Sequence, residues 1–90
     1  MDIEDWRKQI NEIDSSIVEI INQRMACSLK IGGIKKTSGE PVYAPQREMA
    51  ILDRIQSLNG GPLSGEALKR IFQLIIEESR RLEQEHSEKK

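Results

Sequence analysis

Between Ile3 and about Lys36 the apolar residues fall on two lines that repeat every seven positions. Ile3, Ile10, Ile17 and Ile31 occupy one line; Trp6, Ile13, Ile20, Cys27 and Ile34 occupy the other, three residues later. Repetition of this kind over roughly four to five heptads predicts one long helix packed against another helix. Arg24 interrupts the first line. A guanidinium in a hydrophobic seam is costly unless an anion meets it, so the pattern asks which anion.

Local signals set the ends of three helices. The first starts near Asp2 or Ile3, with Glu4 and Asp5 well placed in its first turn. Gly32-Gly33 is its weak point, at about 1 kcal/mol per glycine relative to alanine. Because Ile31 and Ile34 keep the heptad on both sides, the helix is expected to continue through the glycines. It should end at Thr37-Ser38-Gly39, where Gly39 supplies a left-handed cap. A short loop with Pro41 leads to Pro45, which opens a second helix to Leu58 with Leu52, Ile55 and Leu58 on its apolar side. Asn59-Gly60-Gly61-Pro62 stops it. Ser64 is the expected cap of the third helix, and Leu63 and Leu68 have the spacing of a hydrophobic staple. Leu68, Ile71, Phe72, Ile75, Ser79 and Leu82 form its expected buried stripe, and residues 84–90 read as a fraying polar tail. No segment alternates like a strand, so the class is all-α, with one long, one short and one medium helix.

A chain of 90 residues reads as a single domain with a marginal core. A predicted helix of ~50 Å is too long for one three-helix protomer to cover, so the expected state is an intertwined homodimer. Basic residues number 14 against 15 acidic ones, interspersed, which excludes a nucleic-acid surface or a basic membrane patch. Aromatic residues are only 3%, too few for a base-stacking platform. The acidic N-terminus and the lack of a long apolar window point to the cytoplasm, with no membrane span. Cys27 has no disulfide partner and reads as a small core residue on the seam; the one histidine, His86, lies far off in the polar tail.

The informative residues are polar side chains where core is expected. Arg24 and Lys35 are eleven residues apart, three turns, so they share a helix face with Ser28 between them. Two cations ~16 Å apart on a half-buried face describe an anion pocket. Arg7 flanks the seam ~25 Å earlier, too far to share a small ligand within one chain. If two copies of the helix cross antiparallel near Ile17, Arg7 of one reaches the Arg24 to Lys35 face of the other. Arg47 and Glu48 open the second helix, and Ser79 and Glu83 continue an apolar line on the third. No metal-ligand spacing, nucleophile with base, or phosphate loop accompanies them, so no cofactor is expected. Each has a plainer reading. Arg7, Arg47, Glu48 and Glu83 are ordinary surface charges, Lys35 suits a helix end, Ser79 is a small packing residue, and Arg24 fixes register in a coiled coil. The case for a pocket rests on their convergence.

Taken in order, Arg7 with Ile10 and Ile13-Asp14, then Asn22-Gln23-Arg24, Ile31-Gly32 with Lys35, Pro41-Val42-Tyr43-Ala44-Pro45-Gln46-Arg47-Glu48, and Ile71 through Ser79 resemble the all-helical chorismate mutases, the AroQ class. The likeness spans Trp6 to about Glu83. It implies the intramolecular Claisen rearrangement of chorismate to prephenate, toward phenylalanine and tyrosine. Such a reaction needs a compact conformer held in place and negative charge stabilised on the ether oxygen.

By that resemblance, Arg24 binds one substrate carboxylate, Arg7 of the partner subunit the other, and Ser79 lies beside them. Lys35 donates to the ether oxygen, Glu48 holds the ring hydroxyl, and Arg47 supports that wall. Position 83, glutamine in many bacterial members of the family and glutamate in others, is Glu83 here. A carboxylate would repel the developing charge, so Glu83 is expected to work as the neutral acid. Ala44 stands where some relatives place an aspartate, leaving only backbone at that contact. Two other functions fit the residues: an isochorismate-pyruvate lyase on the same fold, and a non-enzymatic helical dimer or regulatory module in which Arg24 only sets register.

Overall fold

The computed structural model describes residues 1–88. Three helices follow in order: α1 (Ile3–Ser38), α2 (Pro45–Leu58) and α3 (Gly65–Glu88). The ends of α1 follow from local chemistry. The Asp5 amide donates to the Asp2 side chain at 2.9 Å, and the Asp2 amide donates to Asp5 Oδ2 at 3.1 Å, a reciprocal capping box. At the other end Gly39 takes φ 78° and its N–H donates to the Lys35 carbonyl oxygen at 2.8 Å.

Pro45 opens α2 at the first helical position, where a missing N–H is harmless, and Ala44 before it offers no side-chain cap. Asn59 shapes the next turn: its side chain accepts from the Gly61 amide at 3.0 Å and donates to the Leu63 carbonyl oxygen at 2.8 Å. Gly61 sits at φ 73°, a left-handed conformation that a side chain would strain. Ser64 then caps α3 by accepting from the Ala67 amide at 3.1 Å. The polar segment expected to fray from 84 onward is instead helical through Glu88, because α3 simply continues its hydrogen-bond ladder; Lys89 and Lys90 lie outside the described residues.

Helices α1 and α2 both pack on α3 and not on each other. The result is an elongated body of 54 × 26 × 14 Å whose long dimension is α1. Among the described residues, the buried apolar side chains are Ile55 and Ile76; Ser28, Ser79 and Gly32 are also buried. Every residue from 1 to 20 is exposed, the seam residues Ile3, Trp6, Ile10, Ile13, Ile17 and Ile20 included.

Further burial expectations change within this one chain. Ile71 is exposed and Ile76 is the buried member of the α3 stripe; Leu58 on α2 is likewise exposed. Both point away from the small contact that each helix makes inside this chain. Cys27 is exposed as well, because the seam at that level faces a cavity instead of a neighbouring helix. Ile34, the last seam residue, is 64% exposed. No helix among the described residues is long and apolar enough to cross a membrane.

Candidate active site

Gly32 positions the site. A Cβ built there would lie 3.0 Å from both the Cα and the carbonyl oxygen of Glu83, so the backbones of α1 and α3 meet at this point. Gly33, next to it, would meet only the His86 ring at 3.4 Å. The close approach at Gly32 carries Lys35, one turn further on, to the side chain of Glu83. Lys35 Nζ donates to Glu83 Oε1 at 3.1 Å and to the Val42 carbonyl oxygen at 3.0 Å. Their side chains are 16% and 12% exposed, so the pair is screened far less than a surface ion pair. An ammonium has three donors, and these two bonds leave one for a ligand.

The pair lines a cavity of about 450 Å³, a size suited to a small metabolite. Arg24, Cys27, Ser28, Ile31 and Lys35 of α1 form one wall, and Ile76, Ser79, Arg80 and Glu83 of α3 the floor. Val42 and Ala44 of the connecting loop and Arg47, Glu48 and Ile51 of α2 form the opposite wall. Ser28 and Ser79 join α1 to α3 through a buried hydroxyl–hydroxyl hydrogen bond, and Ser28 Oγ also donates to the Arg24 carbonyl oxygen at 3.3 Å. Both serines are buried, which two small side chains permit where helices come close.

Six of the seven residues singled out in the sequence, Arg24, Lys35, Arg47, Glu48, Ser79 and Glu83, line this one cavity. Arg7 does not: it is exposed near the far end of α1, with its guanidinium 2.7 Å from Glu4. Sequence reading missed Arg80. Its guanidinium lies 3.6 Å from Glu48 Oε2 and 4.9 Å from the centroid of the Tyr43 ring. Its place one turn after Ile76 and three residues before Glu83 was the available signal, since that stripe faces the floor.

The lining carries Arg24, Lys35, Arg47 and Arg80 against Glu48 and Glu83. The positive surplus suits a ligand bearing more than one negative charge. Among the described residues no cluster of side chains could hold a metal ion. A small, cation-rich, half-apolar cavity in an all-helical chain is suited to a compact anion.

Comparison with known proteins gives that class its family. The sequence model of the chorismate mutase type II family matches residues 6–84, and the chain belongs to that family. It is 35% identical over 83 residues to the chorismate mutase of Methanocaldococcus jannaschii, covering 91% of this chain and 84% of that protein. It is 42% identical over 72 residues to the bifunctional chorismate mutase/prephenate dehydratase of Neisseria gonorrhoeae, covering 80% of this chain and 19% of the relative. The chain thus spans about a fifth of the length of such bifunctional relatives. Among solved structures, chorismate mutase from Helicobacter pylori in complex with prephenate superposes with a TM-score of 0.86 at 29% identity, over 98% of this chain and 97% of that one. Form II of the chorismate mutase from Thermus thermophilus gives 0.89 at 28% identity, over 91% and 93%.

Proposed function

We propose that this chain catalyses the rearrangement of chorismate to prephenate, a step toward phenylalanine and tyrosine, as a homodimer with two shared sites. The observation that carries the reading is the Lys35–Glu83 pair in the lining of a cavity with surplus positive charge. Chorismate is a dianion whose own C–O bond breaks while a C–C bond forms elsewhere in the same molecule. No nucleophile is consumed and no proton changes hands. Catalysis therefore reduces to holding the folded conformer and meeting the charge that grows on the ether oxygen.

Arg24 takes one carboxylate, with Ser79 beside it. Lys35 turns its remaining N–H to the ether oxygen; its bonds to Val42 and Glu83 already fix the ammonium, so little reorganisation is needed. Glu83 accepts from the Lys35 ammonium at 3.1 Å and so holds it toward the same oxygen. Glu48 holds the ring hydroxyl, with Arg47 on the same wall and only backbone at Ala44.

The second carboxylate is left to Arg7 of the partner subunit. A row of exposed isoleucines along residues 3–20 supports a dimer, since an apolar strip of that length marks an interface. Two copies of α1 crossing antiparallel near Ile17 cover it and bring each Arg7 to the other chain's cavity. A cytoplasmic location fits relatives named for acting on chorismate and prephenate.

The deciding experiment follows chorismate with purified protein and identifies the product. Prephenate supports the reading. Chorismate left intact, or turnover of isochorismate alone to salicylate and pyruvate, overturns it.

A further inference from the structure

We propose that Arg80 is a positioning residue: through Glu48 and Tyr43 it holds the α2 wall of the cavity at its working distance from α1. The inference rests on the chorismate mutase reading and adds to it a residue which that reading does not use. Three observations carry it.

The first is the packing order. Helices α1 and α2 do not pack on each other, so Arg47 and Glu48 are placed relative to Arg24 and Lys35 only by way of α3 and the connecting loop. The second is the way α2 begins. Ala44 supplies no side-chain cap, and the first turn is closed by backbone alone, the Glu48 amide donating to the Ala44 carbonyl oxygen at 3.0 Å. An uncapped helix start is where a helix frays first.

The third is what Arg80 does there. Its guanidinium reaches Glu48 on the helical side of that start at 3.6 Å and covers the Tyr43 ring on the loop side at 4.9 Å. One planar group from α3 thus grips the chain on both sides of Ala44. A guanidinium is suited to this, because its edge can meet a carboxylate while its face lies on an aromatic ring. The side chains of Arg80 and Glu48 are 29% and 23% exposed, so the pair is partly desolvated. The contact also offsets the charge of Glu48, which would otherwise repel a dianion entering the cavity.

The roles predict a particular signature. Glu48 contacts the substrate in the ground state and the transition state alike, so losing its placement raises KM more than it lowers kcat. The test is a double-mutant cycle with Arg80→Met and Glu48→Gln, read as steady-state chorismate turnover, with helix content followed by circular dichroism. Arg80→Met is expected to lose roughly ten- to a hundredfold in kcat/KM, mostly through KM. The double variant is expected to be no worse than the weaker single variant within about threefold. Arg80→Lys keeps the charge but not the plane, so it should recover only part of the loss. If Arg80→Met does not fold, the same cycle is run on Arg80→Lys, with Tyr43→Leu as its counterpart on the loop side. A parent-like KM in the Arg80 variant overturns the inference. So do losses that multiply in the double variant, which would mean that Arg80 acts without Glu48. A parent protein that leaves chorismate untouched overturns the underlying function as well, and so is distinguishable from failure of the Arg80 role alone.

Discussion

The two halves of α1 carry the same heptad and meet different fates. From Arg24 to Ser38 the helix lies against α3, buries Ser28 and Gly32, and lines a cavity. From Ile3 to Ile20 it buries nothing in its own chain, and its isoleucines are 45 to 66% exposed. The repeat itself is nearly unchanged between them; the difference lies in the small and polar residues that break it. Arg24, Ser28 and Gly32 open space for a ligand and for a close backbone crossing, whereas an unbroken isoleucine strip can only be closed by another apolar surface. A heptad calls for an apolar neighbour, and its interruptions mark where something else is accommodated.

Four experiments press on this contrast. The largest effect is expected in the packed half, at Arg24. Arg24→Leu restores the seam, so it should lose activity by about a hundredfold or more while keeping or gaining stability in a urea titration. A variant that stays active would make Arg24 a register residue and nothing more.

In the bare half, Ile13→Glu places a charge on each copy of the proposed interface. It is expected to raise the dimer dissociation constant by about a hundredfold or more, measured by sedimentation, with activity falling alongside. If the strip faces only water, the change stays within about 0.5 kcal/mol and nothing dissociates.

The two halves can also be made to complement each other. If the proposed shared site is right, Arg7→Ala and Arg24→Leu chains are each expected to be nearly inactive and to form a mixed dimer with one intact site. Random exchange should restore roughly a quarter of parental activity. No recovery after mixing and refolding would separate Arg7 from the site.

The smallest effects concern adjacent glycines. Gly32→Ala pushes a methyl group into the Glu83 backbone at 3.0 Å and should cost about 1 to 3 kcal/mol, with activity reduced because Lys35 and Glu83 separate. Gly33→Ala meets only the edge of an exposed imidazole and should gain up to about 1 kcal/mol from helix propensity. Thermal melts of the two variants shifting in the same direction would count against the crossing described here.

What could be read in advance follows a physical division. Helix ends were legible because their chemistry is local: Asp2 with Asp5, Gly39, Pro45 and Ser64 each act within a few residues of themselves. The cavity was legible because periodicity places Arg24, Ser28 and Lys35 on one face whatever lies opposite. What lies opposite was not. Ile71 and Leu58 fit an apolar stripe, yet the chain offers them no neighbour, and Cys27 fits the seam but faces the cavity. Gly32 read as a weak point in a helix, because the backbone of Glu83 enters its surroundings only in three dimensions. Arg80 escaped for the same reason: its partners Tyr43 and Glu48 are more than thirty residues away in the chain.

The crossing at Gly32 also divides α1 unevenly. Ile3 lies roughly 44 Å from it along the helix and Lys35 only ~4.5 Å. The Ser28–Ser79 bond and the backbone approach at Gly32 tie the short end to α3 at two levels. The spacing of Lys35 and Glu83 is thus set within the chain, whatever lies against the far end of the helix.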